Sequence, residues 1–264
     1  VGKAKDIVLR PIKTGEANTL VRRVHYSGKV DTRTQLSIGV FYRGSLEGAI
    51  QFGPSMDKRK TIGFVAGTQW HQYLDLHRIA FTERLPRNSE SRAIGVACRM
   101  LRKHAPQVKW VLSYADATQC GDGTIYRASG FVLTQIRRNT TMVLMPDGET
   151  CAQIVFHDSF SPNSGGASVK ARYGKIPGES VTAFFARVGA RKLPGYQFRY
   201  VRFIDPTWAD RLTVPVIPFS EIPDECRMYR GEKMRARSTS GDPADQAGDG
   251  GAKPTRALHL PSEE

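Results

Sequence analysis

Residues 76–131 read LHRIAFTERLPRNSESRAIGVACRMLRKHAPQVKWVLSYADATQCGDGTIYRASGF. The order is strand, turn, long helix, strand, loop, short helix, then a Gly-Phe step into another strand. An apolar run, 76–81, leads to a turn holding Pro86, Arg87, Asn88 and Ser89. Asn88 or Ser89 is expected to cap the helix, because a short polar side chain can accept from the amides the first turn leaves without partners. Ala93, Ile94, Ala97, Met100 and Leu101 then recur at helical spacing, and Ala105-Pro106 stops the helix. Residues 108–114 form a second strand. A β-α-β order predicts parallel strands joined by a right-handed crossover. Where two such strands part beside a helix N-terminus, an anionic group finds a site.

Working outward, 14–25 reads as a helix with Leu20, Val21 and Val24 on one face, stopped at Gly28. Residues 36–42 and 46–52 form a β-hairpin about Arg43-Gly44. A loop, 53–67, carries Lys58, Arg59 and Lys60. After Phe131 come a strand, a basic turn at Arg137-Arg138 and a further strand. Residues 147–180 are rich in Gly, Ser and Pro with weak periodicity, 182–188 reads as helical, and 195–204 alternates as a strand. Beyond Gly231 apolar residues almost vanish, which predicts a disordered tail over 231–264. One domain is expected over 1–230, with a core at 6–145 and an extension at 146–230.

The chain has 264 residues, 40% of them hydrophobic, enough for a sizeable core. Its net charge of +14 is far from ordinary and favours a polyanionic partner, most simply nucleic acid. The tail holds five Lys or Arg against six Asp or Glu, so the basic excess belongs to the folded part. Cys98, Cys120, Cys151 and Cys226 lie far apart with no C-x-x-C pair, which argues against a zinc ribbon or a disulfide framework. No apolar run is long enough to span a membrane and no signal peptide is visible, so an intracellular compartment is expected.

Two resemblances follow from these residues. Tyr126-Arg-Ala-Ser-Gly130-Phe131, after a strand, turn, helix and strand, resembles the GNAT acetyltransferase fold. That implies an α/β fold with a mixed, splayed central sheet flanked by helices, here with a C-terminal extension. A closer likeness rests on His25-Tyr26-Ser27, on 46–54 (LEGAIQFGP), on 84–94 (RLPRNSESRAI), and on Tyr114-Ala-Asp116 followed by 121–131 (GDGTIYRASGF). These stretches, in this order, resemble the Mom DNA-modification proteins of Mu-like phages. The resemblance implies conversion of adenine in double-stranded DNA to its N6-carbamoylmethyl form in the host cytoplasm, shielding phage DNA from restriction. A coenzyme A-dependent N-acetyltransferase acting on a small amine or a protein lysine is the alternative.

The family match places chemistry at His25, Tyr26, Asp116 and Tyr126. His25 could otherwise cap its own helix, Asp116 could organise the loop at Thr118-Gln119, and Tyr126 could simply pack the core. His25, Tyr26 and Asp116 offer nitrogen and oxygen donors that suit iron, and the family is associated with iron. Arg78, Arg84, Arg87, Asn88, Ser89 and Ser91 are expected to hold an anionic donor. Acetyltransferases keep glycines at this turn; here Arg87 and Ser89 stand in those places, so coenzyme A does not follow from the fold. The donor is left open as acetyl-CoA or another acyl or aminoacyl compound. Lys58, Arg59, Lys60, Arg137 and Arg138 are expected to contact DNA phosphates. Whether the chain works as a homodimer is not decided by the sequence.

Overall fold

The computed structural model describes residues 3–157 and 170–226, with the two short strands Met228–Tyr229 and Glu232–Lys233. The strands are β1 (Val8–Pro11), β2 (Leu36–Tyr42), β3 (Ser45–Gly53), β4 (Tyr73–Phe81), β5 (Trp110–Asp116), β6 (Val132–Arg138), β7 (Met142–Leu144), β8 (Thr150–Ala152), β9 (Arg191–Lys192), β10 (Tyr196–Phe203), β11 (Met228–Tyr229) and β12 (Glu232–Lys233). The helices are α1 (Thr14–Val24), α2 (Lys58–Ile62), α3 (Ser89–His104), α4 (Thr124–Ala128) and α5 (Val181–Val188). Seven strands make one mixed sheet in the order β1-β2-β3-β4-β5-β10-β6. This is the helix-flanked, splayed α/β architecture expected.

Neighbouring strands in that sheet are antiparallel except β4 and β5. This parallel pair meets at only three positions, Tyr73↔Trp110, Leu74↔Val111 and Asp75↔Leu112. Beyond Asp75, β4 stays with β3 as far as Phe81↔Gly48, while β5 stays with β10 as far as Asp116↔Gln197. The two strands therefore part. His77 is the extra residue of a bulge between Leu76↔Phe52 and Arg78↔Gln51, and a bulge bends its strand.

Alternation along the strands sets two faces. On one, α3 lays Ala93, Ile94, Ala97, Cys98 and Leu101 into a core with Leu76, Val111 and Ala115. On the other, Tyr73, Trp110, Leu112 and Val201 pack with Phe64, Val65 and Trp208. The Tyr73 and Trp110 rings stack 4.9 Å apart, and the indole N–H of Trp110 donates to Thr68 Oγ1 at 3.1 Å.

The hairpin, α3 and β10 form where the sequence places them. Arg43 (φ 49) and Gly44 (φ 83) supply the left-handed turn that matches the twist of hairpin strands. Elsewhere the structure differs. The loop 53–67 contains α2, whose N-cap Asp57 accepts from the Lys60 amide at 3.1 Å. Five residues opening on Lys-Arg-Lys give no apolar period to read. Neither Asn88 nor Ser89 caps α3 with its side chain: Asn88 is left-handed (φ 67), and Ser89 is buried with an unpartnered hydroxyl. Arg137 and Arg138 end β6 rather than forming a turn. The strand after them, β7, leaves the main sheet to pair with β8 and β9, and β10 lies between β5 and β6.

Residues between β6 and β10 thus build a satellite around Val143, Met145, Cys151, Phe156 and Phe184. Asn139 closes its neck, donating to the carbonyls of Met142 and Leu193 and accepting from the amides of Thr141 and Met142. The expected disordered tail lies outside the described residues, apart from Glu232–Lys233, which pair with Met228–Tyr229.

Gly123 precedes α4 at φ 79, and a Cβ there would meet the Tyr200 ring at 2.6 Å. Gly123→Ala should cost about 2 kcal/mol and lower the melting temperature by roughly 4–8 °C. An unchanged melting curve would refute this account of the turn.

Candidate active site

Past Asp75 the parted strands open, on the face away from α3, into a cleft of about 460 Å³. Asp75 and Arg78 reach it from β4, Tyr114 and Asp116 from β5, and Gln197 and Arg199 from β10. Segments that follow α1 and β3 add Tyr26, Asp31, Arg33, Ser55 and Met56, and α2 adds Lys60. Tyr26, Met56 and Tyr114 expose much of their apolar surface here.

Five expected residues meet at this cleft: Tyr26, Lys60, Arg78, Asp116 and Arg137. His25 stands behind Tyr26, ring centroids 4.3 Å apart. The Ser27 amide donates to its Nδ1 at 3.2 Å, which puts the lone pair there and the neutral ring's proton on Nε2. Burial, with the Arg78 charge, lowers its pKa to about 4. Burial pushes the Tyr26 phenol well above its ordinary value, helped by Cys120 and Asp116. Asp116 does organise its loop: Oδ1 accepts from the Thr118 amide at 3.0 Å and hydroxyl at 2.6 Å. Arg78 donates through Nε to the Lys29 carbonyl at 2.8 Å, so it belongs to this cleft and not to the turn before α3.

Tyr126 is buried on the α3 side, its ring 5.2 Å from Tyr200 and 5.4 Å from Phe131. Desolvation pushes its phenol far up, which keeps it protonated. Ser113, on the same side, is fully buried with an unpartnered hydroxyl.

Two of the donors expected for iron, His25 and Asp116, are each held by local hydrogen bonds. The His25 lone pair is occupied by the Ser27 amide, and both Asp116 oxygens accept bonds from their own loop. Among the described residues no three His, Cys, Asp or Glu gather closely enough to hold an ion.

A second hollow, about 760 Å³, lies beside the α3 N-terminus. Arg87, Asn88 and Ser91 line it as expected. Lys3, Lys5, Arg92, Arg99 and Arg202 join them, and no carboxylate does. Arg92 and Arg99 are seven apart and so share a helix face, a spacing that could have been read in advance. Arg84 instead turns to Glu47 at 3.4 Å, and Ser89 is buried beneath the turn.

Of the basic residues expected at DNA, Lys60 and Arg137 line the cleft. Lys58 lies over the Trp70 ring at 4.5 Å, Arg59 is exposed, and Arg138 reaches the Tyr196 hydroxyl at 3.5 Å.

Sequence reasoning missed two cleft residues. Asp75 accepts from the Ser55 hydroxyl at 3.0 Å, and burial raises its pKa to about 7. Arg199 is only 6% exposed, donates to Thr134 Oγ1 at 2.9 Å and lies over the Phe64 ring at 4.0 Å. No carboxylate pairs with it among the described residues. Both read as ordinary alternating strand positions, so nothing local in the sequence marks them.

The imidazole of His25 is expected to stay neutral at pH 6 and to titrate near pH 4, as followed by ring NMR shifts. Between pH 6.5 and 4 the unfolded chain binds a proton that the folded chain refuses, so this residue withdraws stability as pH falls through that window. Arg78→Met should raise the ring pKa only in part, since burial is the larger cause. A wild-type ring titrating near 6.5 would refute the placement.

Comparison with known proteins follows the same lines. The methylcarbamoylase Mom of Escherichia phage Mu is 29% identical over 221 residues, spanning 83% of this chain and 85% of that protein. Among solved structures, the ribosomal-protein-S18-alanine N-acetyltransferase of Escherichia coli matches with TM-score 0.41 and 14% identity, covering 75% of this chain and 94% of that one. A GNAT family acetyltransferase from Elizabethkingia anophelis with acetyl-CoA bound matches with TM-score 0.37 and 12% identity, covering 75% and 98%. Scores this low carry no weight for the chemistry. The Mom protein family matches residues 6–221, and the chain belongs to that family.

Proposed function

We propose that this chain is a DNA-modifying transferase that places a carbamoylmethyl unit on the N6 amine of adenine, so that phage DNA escapes host restriction. The observation that carries the reading is a pair of hollows, one beside the α3 N-terminus and one in the cleft where β4 and β5 part. One is lined by cations without a carboxylate and suits the anionic part of a donor. The other has exposed aromatic and apolar surface and mixed charges, which suits a nucleobase. The name of the phage Mu relative, a methylcarbamoylase, supplies the group transferred.

Adenine N6 lies within the duplex stack, so the base must leave it to meet these side chains. Tyr26 and Tyr114 offer faces for the extruded ring, and Lys60 and Arg137 at the rim offer charge to the flanking phosphates. Arg87, Asn88, Ser91 and Arg92 would hold the donor's anionic carrier, an acyl or aminoacyl compound. With Arg87 and Ser89 at the glycine positions of the acetyltransferase turn, backbone approach to a pyrophosphate is hindered. That favours a donor held by side chains over coenzyme A held by bare amides. A phenol kept protonated at Tyr126 is suited to give its proton to a departing group.

Nucleoside mass spectrometry of plasmid DNA from expressing cells should show modified adenine. Unmodified adenine throughout would sink the reading, and acetylated amines or lysines in its place would favour an ordinary acetyltransferase. Lys60→Ala and Arg137→Ala should each weaken DNA binding and lessen the slope of log affinity against log salt by about one. Unchanged slopes would remove these residues from the interface.

A further inference from the structure

We propose that Asp75 is the residue that receives the target amine in the cleft, accepting a hydrogen bond from its N–H and taking its proton as the new bond forms. This inference rests on the DNA-modification reading and names a catalytic residue within it.

Asp75 is the last β4 residue paired with β5, so its side chain stands where the two strands part. By alternation it shares a face with Tyr73, and across the gap Leu112 and Tyr114 share that face on β5. It lines the cleft beside exposed Tyr114, whose ring forms a wall. Ser55 donates its hydroxyl to Oδ2 at 3.0 Å, which fixes the carboxyl. Of the cleft's acids, Asp31 is paired with Arg33, Asp57 caps α2, and Asp116 is bound by its own loop. Asp75 has only the Ser55 bond among the hydrogen bonds described, which leaves acceptor capacity for a substrate.

The surroundings set its titration. Burial raises its pKa to about 7; Asp31 adds to the rise, and the Ser55 bond and the charges of Arg33 and Arg78 oppose it. Asp57 and the phenols of Tyr73 and Tyr114 also face this region, and the Tyr126 phenol lies on the opposite face of the sheet. A base with a pKa near the working pH combines a substantial ionised fraction with enough basicity to take a proton. The step balances without an oxidant. To give a carbamoylmethyl product the amine nitrogen bonds to the methylene carbon of a carbamoylmethyl donor, not to its carbonyl carbon, and the leaving group on that methylene departs with the pair of the broken bond. The amine proton passes to a carboxylate oxygen of Asp75.

The test uses purified full-length protein, plasmid DNA and an undialysed lysate of cells lacking the gene as the donor source. Modified nucleoside is measured against pH. Wild-type rate should climb through pH 7 to a plateau. Asp75→Asn keeps the shape of the side chain and should fall by roughly 10²–10⁴ with that limb abolished. Ser55→Ala leaves Asp75 in place but removes a bond that lowers its pKa, so the limb should move to higher pH. An Asp75→Asn rate within threefold of wild type, with the limb kept, overturns the inference. A Ser55→Ala limb that does not move also overturns it, and this arm decides if the Asn variant fails to fold. No modified adenine with wild-type protein instead overturns the parent reading, a result separate from either variant outcome.

Discussion

Everything distinctive in this molecule depends on β4 and β5 ceasing to pair after three positions. Each strand has a stronger claim elsewhere. β3 holds β4 from Asp75 to Phe81, with the His77 bulge bending it, and β10 holds β5 at seven consecutive positions. Backbone amides and carbonyls in a sheet seek partners, and a parting strand pair leaves some facing a gap. Such a gap accepts a ligand without a loop having to move aside. β10 makes the parting possible, yet it arrives only after the satellite around Phe156 and Phe184. The neck at Asn139 is therefore part of the site's support: it fixes where β6 ends and β10 begins.

Charge is divided between the two sides of the sheet. The hollow beside α3 collects Lys3, Lys5, Arg87, Arg92, Arg99 and Arg202 with no acid among them. Like charges held this close repel, and an anion relieves them. The cleft is different, because its cations are mixed with Asp31, Asp57, Asp75 and Asp116. Burial there works on both signs. It raises Asp75 and lowers Arg199, each toward its neutral form. Among the described residues Arg199 is held by Thr134 and the Phe64 ring, an expensive arrangement for a buried charge. The bulge at Thr134 that turns its hydroxyl and carbonyl toward Arg199 is the local device that makes this tolerable.

How much of this was legible in the sequence depends on range. Local signals held: the hairpin turn at Arg43-Gly44, the apolar stripe of α3 and the alternation of β10 all reflect short spacings. The pairing of β10 with β5 did not, because periodicity says that a strand exists and not which edge it joins. β7 had the better claim by proximity and went to another sheet. Family likeness brought Tyr26, Arg78 and Asp116 to one cleft, and missed Asp75 and Arg199, which become special only through burial. The residue types expected for iron show another limit: their hydrogen bonds to Ser27 and to the loop after Asp116 depend on local backbone geometry that residue type alone does not reveal.

Tyr126 and Asp75 lie on opposite faces of the sheet, yet the Asp75 charge adds to the rise of the Tyr126 phenol. Strand alternation puts Asp75 with Tyr114 on the cleft side and Ser113 with Tyr126 on the α3 side. The two faces thus carry opposite proton roles in the proposed transfer, a carboxylate suited to take a proton at the cleft and a buried phenol that keeps its own on the α3 side. Transfer between an amine and a departing anion needs that polarity, with base by the nucleophile and acid by the leaving group. The raised pKa values of the two groups serve it in different ways. At about 7, Asp75 can exchange protons near neutrality, while Tyr126 stays protonated until a strongly basic leaving group draws its proton away. The parting of two strands accounts for the position of Asp75, the packing of α4 on Phe131 and Tyr200 for that of Tyr126, and burial for the raised pKa of each.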